Sequence, residues 1–253
     1  TTYPIFLEVI INEKISIGPP FFNKLIIPFL GFFLIFMAIG PKFNWIKDNF
    51  KRIKYSRVFI FFICILISFY LINKSSSEIL FTSVIGGAAL YLLFTTIKEF
   101  SEKRSNISQT ISHFGFGLFI LSILFNSLFS SEFSANMKIG QEITYNNEQI
   151  KFLNIETFDK ENYKSVKASF EIIDKKNNSI SFYPEIRIYN QPNILTSEAD
   201  IISTIFFDKF IVINLLKGEE IFNVRYQTKP FMIWIWISTC LISLGGILGV
   251  FKR

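Results

Sequence analysis

The stretch ISHFGFGLFILSILFNSLF, residues 111–129, decides the class of this protein. It carries no charged residue, and it is close to the length of about 20 residues that a helix needs to cross the hydrocarbon core of a bilayer. Directly after it, from residue 130, the sequence changes to polar segments in which apolar residues alternate. This order predicts a transmembrane helix that leads into a β-rich region.

Four further apolar runs frame this stretch: Leu25–Gly40, Val58–Ile72, Ile79–Ile97 and Phe231–Phe251. Half of the 253 residues are hydrophobic, 32 are phenylalanine, and only 18% are charged, which is too apolar for an ordinary soluble domain. We therefore predict a membrane α-helical protein with five transmembrane helices. The opening TTYPIF has no methionine and no basic stretch, so we expect a processed product, a fragment or one piece of a split protein.

Basic residues cluster in the short segments 41–57 and 98–108 and at the end, Lys252 and Arg253. Because positive charge in short loops marks the inner side of a membrane, these segments are predicted to face the cytoplasm or the mitochondrial matrix. Residues 1–24, the loop 73–78 and residues 130–229 then face the outer side. The net charge of +6 is thus explained by topology, and the dispersed basic residues disfavour nucleic acid as a partner.

Residues 130–229 show the period-two pattern of half-buried strands. SVKASFEII, residues 165–173, places Val166, Ala168, Phe170 and Ile172 on one face, and DKKNNS, residues 174–179, is a turn signal. A small antiparallel β domain between helices four and five is predicted. The segment contains no paired carboxylates, nucleophile–base set or phosphate loop. The domains expected are therefore 1–24 (outer segment), 25–129 (four helices), 130–229 (β domain) and 230–253 (last helix and inner tail).

His113 is the only histidine, and an ionisable side chain in a membrane helix marks function by default. Three uses are open from the residues alone: a proton relay, a metal or haem ligand, or a hydrogen-bonded packing residue. Gly115 and Gly117 follow at once and would let a flat group or another helix approach closely. The two cysteines, Cys64 and Cys240, lie in apolar runs without a metal-ligand or redox spacing and are interpreted as packing residues.

Several segments, in order along almost the whole chain, carry a family resemblance. They are TTYPIFLEVIINEKISIGPPFFN (1–23), MAIGPKFNW (37–45), ISHFGFG (111–117), FYPEIRIYNQPNILTSEADI (182–201) and VRYQTKPFMIWIWISTCLISLGGILGVF (224–251). Together they resemble the C-terminal portion of the CcmF-type cytochrome c haem lyases of the system I maturation pathway.

The resemblance implies that haem, as substrate, is attached covalently to the cysteines of a C-x-x-C-H motif in apocytochrome c on the outer face of the membrane. It also implies an internal b-type haem held by two transmembrane histidines, of which His113 matches one. The implied partners are the N-terminal region or subunit of the same lyase, a haem chaperone, apocytochrome c with its thioreduction subunits, and quinol as a source of electrons. The implied location is a bacterial or mitochondrial inner membrane, with the β domain in the periplasm or intermembrane space.

The sequence departs from the full family pattern in three respects. It lacks the tryptophan-rich WWD segment, which Trp45, Trp234 and Trp236 do not replace, the two outward-facing histidines, and the second histidine of the internal haem. By this resemblance the chain alone would be inactive. A general lyase, a paralogue dedicated to one cytochrome, and a non-catalytic assembly subunit all remain open. A transporter is disfavoured because no internal repeat is visible.

Other matched residues have a structural alternative beside a functional one. Gly18, Pro19, Pro20 and Asn23 precede the first predicted helix, either as a rigid turn or beside incoming haem.

In the β domain, Arg187 and Tyr189 lie near Glu198 in the matched segment. Arg187 could bind a haem propionate, but we favour Glu198 as its structural partner. Trp234 and Trp236 suit an aromatic belt at the interface, and Gly245 with Gly249 forms a helix-packing signal.

Overall fold

We describe a computed structural model that covers residues 9–10, 19–40, 55–72, 79–175, 177–215 and 221–251. The chain forms two compact units. One contains helices from the part of the chain before Phe125 and after Trp234, and the other spans Phe125–Trp234 and is mainly β-structure.

Five long helices lie within the described residues: α1 (Pro19–Ile39), α2 (Tyr55–Ile72), α3 (Ile79–Ser101), α4 (Ile107–Phe129) and α5 (Met232–Phe251). They coincide with the five predicted apolar runs. Four of them, α2 to α5, are long and apolar enough to cross a membrane, whereas the apolar part of α1, Pro28–Ile39, is shorter. The membrane α-helical class is thereby confirmed.

Three helices begin earlier than the apolar runs predicted: α2 begins at Tyr55 instead of Val58, and α1 and α4 differ by more. α4 begins at Ile107 because Asn106 precedes it as an N-cap, a position that favours asparagine, and the Asn106 carbonyl accepts a hydrogen bond from Thr110 N at 2.9 Å. His113 consequently lies in the second turn of α4, not in the first. α1 begins at Pro19, so Pro19, Pro20 and Asn23 form its first turns instead of preceding it, since proline suits the first positions of a helix.

Small residues in α3 let the neighbouring helices approach it closely. The segment Gly86 to Ala89 is buried, and a Cβ atom at Gly87 would lie 2.7 Å from the Cα atom of Ile65 in α2. α3 also packs against α1. Close approach of this kind stabilises membrane helices by van der Waals contact, because lipid provides no hydrophobic force between them.

α4 and α5 form a second close contact. A Cβ atom at Gly245 would lie 2.7 Å from the backbone N of Ser112, and Ser108 Oγ donates a hydrogen bond to the Gly245 carbonyl at 2.7 Å. The predicted packing signal at Gly245 and Gly249 therefore faces the serines of α4. This contact fixes the helix that carries His113.

The β unit is a sandwich of two antiparallel sheets. Its strands, within the described residues, are β1 (Ser131–Met137), β2 (Glu142–Tyr145), β3 (Glu148–Asp159), β4 (Tyr163–Ile173), β5 (Ser179–Phe182), β6 (Glu185–Tyr189), β7 (Leu195–Glu198), β8 (Asp200–Ser203), β9 (Phe207–Leu215) and β10 (Phe222–Pro230). One sheet has the order β1-β10-β9-β8, and the other has the order β2-β3-β4-β6-β7 with β5 also paired to β4. The predicted antiparallel β domain between the last two helices is confirmed.

The predicted alternation produces the core of the sandwich. Ala168, Phe170 and Ile172 of β4 are buried, and the Phe170 ring stacks on that of Phe152 in β3 with centroids 4.5 Å apart. The remaining buried core residues are Met137, Ile150, Phe182, Ile186, Ile211, Ile213, Phe222, Val224 and Tyr226. The predicted turn after β4 closes through a hydrogen bond from Asp174 N to the Asn178 carbonyl at 3.0 Å.

Candidate functional site

His113 lies half-buried on α4, among apolar residues. Among the described residues, none forms a hydrogen bond with its imidazole. This disfavours the third use considered above, in which His113 is a hydrogen-bonded packing residue. The carboxylate of Glu99 in α3 is near enough to interact with it electrostatically. Phe116 is three residues further along and thus on the same side of the helix. Its ring packs edge to face with that of Phe33 in α1, with the ring centroids 5.6 Å apart.

Gly115 and Gly117 serve helix packing in this structure. A Cβ atom at Gly115 would lie 3.0 Å from Leu241 Cβ in α5, and one at Gly117 would lie 3.0 Å from Leu93 Cγ in α3. Of the two expectations for these glycines, the close approach of another helix is what the described residues show. A role of Gly115 and Gly117 beside haem, like that of His113 as a haem ligand, stays a prediction.

No group of three or more His, Cys, Asp or Glu side chains within the described ranges could hold a metal ion. An axial bond to haem iron, in contrast, needs a single side chain at each position. The donor chemistry of His113 fits that requirement, because a neutral imidazole has one ring nitrogen whose lone pair can bind iron.

The outer-side candidates fall into two sets. Gly18 lies outside the described residues, and Pro19, Pro20 and Asn23 are described here only as helical backbone at the start of α1. Arg187, Tyr189 and Glu198 lie in β6 and β7 of the six-stranded sheet.

Arg187 and Glu198 line one open cleft of about 390 Å³. The cleft lies where the chain passes from β7 in one sheet to β8 in the other. Its charged groups are two bases and three acids: Lys167, Arg187, Glu185, Glu198 and Asp200. This excess of acid does not favour an anionic ligand such as a propionate.

The structure places Glu185, not Glu198, on the guanidinium of Arg187. Arg187 Nε donates to Glu185 Oε1 at 2.5 Å, whereas Glu198 Oε1 accepts a hydrogen bond from Thr196 Oγ1 at 3.3 Å. The period of two in a strand puts residues 185 and 187 on one face of β6, and Glu198, directly opposite Glu185, lies on that face as well. The preference for a structural ion pair stands, but the predicted partner is corrected.

The pKa of Glu185 reflects this arrangement. Burial alone would raise the pKa of its carboxyl group, but hydrogen bonds from Ser165 Oγ, at 2.6 Å, and from Arg187 outweigh burial. The pKa therefore lies below the usual 4.5. Glu185 is ionised at neutral pH and holds Arg187 in place.

Tyr189 lies opposite Tyr163 of β4. The Arg187 guanidinium lies over the Tyr163 ring at 5.1 Å, and the Tyr163 and Tyr189 rings are 5.3 Å apart. Sequence reasoning missed Tyr163 and Glu185. Pairing the predicted strands would have found both, because one is the cross-strand neighbour of Tyr189 and the other shares a face with Arg187.

A further polar cluster joins the two sheets and was not predicted. Lys209 of β9 forms an ion pair with Glu148 of β3, and the Tyr226 hydroxyl donates to Glu148 Oε2 at 2.6 Å. Burial first, and then the hydrogen bond to the Glu148 carboxylate, raise the pKa of Tyr226. This cluster lies in the sandwich core and crosslinks the sheets.

These observations define a class: a multi-pass membrane protein with an antiparallel β-sandwich inserted before its last helix. Residues 128–230, the sandwich itself, match the family model described as CcmF C-terminal beta-sandwich. The predicted resemblance to the C-terminal portion of CcmF-type proteins is thereby confirmed.

Curated relatives match the chain over its full length or nearly so. The cytochrome c-type biogenesis protein CcmF of Haemophilus influenzae is 27% identical over 271 residues, which cover 100% of this chain and 42% of that protein. The protein of the same name from Escherichia coli is 26% identical, covering 99% of this chain and 40% of the relative. The chain thus spans about two-fifths of the length of the relatives it matches.

A solved structure shares the fold. The protein titled Cytochrome c Heme Lyase CcmF superimposes with a TM-score of 0.78 at 18% sequence identity, covering 98% of this chain and 41% of that one. The chain therefore shares the fold of that protein over this part of its length.

Proposed function

We propose that this chain is the C-terminal membrane part of a cytochrome c haem lyase, which joins the vinyl groups of haem to cysteine thiols of apocytochrome c. The observation that supports the proposal is the similarity, over 100% of the chain, to about two-fifths of the length of a protein named for cytochrome c biogenesis. The remaining part of the lyase, in the same polypeptide or in a separate subunit, completes the enzyme.

We assign to His113 one axial bond of an internal b-type haem, with the second histidine outside this chain. The assignment is supported by a half-buried imidazole in an apolar helix, without a hydrogen-bond partner among the described residues, and by the match of ISHFGFG to the family. When bound, such a haem supplies one-electron chemistry that keeps the substrate haem ferrous. The role of the chain is to hold the imidazole, which the close packing of α4 against α5 does by restricting the helix.

The sandwich is proposed to face the periplasm or the intermembrane space and to dock the haem chaperone and the apocytochrome-binding subunits. The basic segments 41–57 and 98–108 support this orientation through the positive-inside rule. Arg187 has a structural role in the proposal, because Glu185 already engages its guanidinium.

The experiment compares reduced-minus-oxidised visible spectra of the complex purified with the partner that carries the second histidine. Three variants are measured beside the unaltered chain: His113→Ala, His113→Gly with and without added imidazole, and Phe114→Ala as the control. Phe114 is adjacent and also half-buried, so its removal perturbs the helix at least as strongly without touching the ligand.

Loss of the low-spin b-type signal in both His113 variants, its return with imidazole, and its retention in Phe114→Ala would support the assignment. A signal unchanged in His113→Ala would remove His113 from the haem. Covalent haem on cytochrome c is measured in the same cells. Normal maturation with His113→Ala would favour the rival function, a non-catalytic assembly subunit.

A further inference from the structure

The turn between β8 and β9 exposes large apolar side chains at its end. We define the β8–β9 tip as residues 204–207. Thr204 closes the turn, since its N and its Oγ1 both donate to the Phe207 carbonyl, at 3.0 and 2.7 Å. The closed turn leaves Ile205 63% exposed and Phe206 58% exposed.

The tip is hydrogen-bonded to the start of α5. Phe231 N donates to the Phe206 carbonyl at 2.7 Å, and the Trp234 indole Nε1 donates to the Ile205 carbonyl at 2.9 Å. Trp234 lies in the first turn of α5, and Met232–Val250 is long and apolar enough to cross a membrane. The tip is thus held at the level where a membrane-spanning helix begins.

The same two hydrogen bonds remove an obstacle to entering lipid. A backbone carbonyl in the apolar part of a bilayer costs several kcal/mol unless it has a partner. The carbonyls of Ile205 and Phe206 both have partners within the protein, while their side chains point away from the core and remain uncovered. The carbonyl groups of these two residues thus have partners, whereas their apolar side chains are uncovered.

We propose that the β8–β9 tip is a membrane anchor of the sandwich, with Ile205 and Phe206 inserted into the interfacial layer of the bilayer. The occupant of this apolar surface is lipid, because the surface is continuous with the first turn of a membrane helix. The Trp234 side chain links the two, in keeping with the preference of tryptophan for the interface. Insertion of the tip requires only the membrane helix and does not depend on haem chemistry.

The test measures the depth of a spin label on the full chain in nanodiscs of palmitoyl-oleoyl phosphatidylcholine. Phe206→Cys is labelled with a nitroxide in a background in which Cys64 and Cys240 are replaced by alanine. Ile139→Cys is the matched control. The exposed fraction of Ile139, 53%, is similar to that of Phe206. Ile139 follows the end of β1 that is remote from α4, about 25 Å along the strand from Ser131.

Collision rates of each label with oxygen and with the polar reagent nickel-EDDA report its surroundings. The anchor predicts a Phe206→Cys label that oxygen reaches readily and nickel-EDDA reaches several-fold less often than it reaches the Ile139→Cys label. Equal nickel-EDDA rates at both positions would place the tip in water and overturn the proposal. Low rates with both reagents at Phe206→Cys would show a polypeptide covering the tip and would overturn it as well.

Discussion

Replacing Glu148 by alanine is expected to destabilise the β-sandwich by about 3 kcal/mol, because it leaves a buried ammonium group and a buried hydroxyl group without their partner. Lys209 and Tyr226 both bind the Glu148 carboxylate. Removing one member of a buried ion pair costs about 3–5 kcal/mol. The side chains of Lys209 and Glu148 retain 10% and 16% exposure, so water reaches them and the lower end of this range applies.

Pulse proteolysis of the full chain in detergent micelles, across a urea series, measures the fraction of intact sandwich. With a urea m-value of about 1.5 kcal/mol/M for a domain of this size, the midpoint for Glu148→Ala falls by about 2 M. The matched control is Glu142→Ala. Glu142 forms an ion pair with Lys151 at 2.9 Å within one sheet, but it is exposed, and such pairs contribute about 1 kcal/mol or less.

A third variant distinguishes the loss of the interaction itself from the cost of leaving Lys209 and Tyr226 buried without their partner. Glu148→Leu combined with Lys209→Met and Tyr226→Phe removes all three polar groups, and its midpoint is expected close to that of the unaltered chain. The reasoning would be refuted by a Glu148→Ala shift no larger than that of Glu142→Ala. It would also be refuted by a triple variant as unstable as the single one.

Two further predictions concern helix packing and pH. Gly245→Ala is expected to lower the free energy of unfolding of the chain in detergent by about 1–3 kcal/mol, because its Cβ would lie 2.7 Å from Ser112 N. A Cβ at Gly246 would have no atom within 4 Å, so Gly246→Ala should leave the melting temperature unchanged. Because the folded-state pKa of Glu185 lies below 4.5, its contribution to stability is present above that pH and is lost as the pH falls below it. The urea midpoint of the sandwich should therefore decrease below about pH 4.5, and it should decrease less steeply in Glu185→Gln; parallel pH curves for the two proteins would contradict this.

The class of the protein could be predicted because membrane helices and sandwich strands both follow from the spacing of apolar residues. Lipid allows only satisfied backbones, so the five apolar runs could hardly form anything but helices. The alternation in β4 likewise placed Ala168, Phe170 and Ile172 in the core correctly. Helix ends were less predictable. The polar residues at the start of α4 belong to the helix because Asn106 caps it and because the Ser108 hydroxyl group donates a hydrogen bond to α5. A hydropathy pattern does not reveal such contacts.

The candidate site could be predicted only where one residue carries the information. His113 stands out because it is unique and lies in an apolar run. Gly115 and Gly117 did not reveal which surface they face, since haem and a neighbouring helix both need a small residue. The partner of Arg187 could not be chosen by strand register alone, because Glu185 and Glu198 are cross-strand neighbours and both lie on its face.

The first and last strands of the sandwich are antiparallel neighbours, with Ser131 opposite Thr228. The chain therefore enters and leaves this domain at a single place, where cross-strand neighbours lie about 5 Å apart, a gap that a hairpin loop of about two to five residues would close. In evolutionary terms the sandwich is a cassette set into the connection between two consecutive helices. Selection can reshape or exchange such a cassette while the order of the membrane helices stays the same.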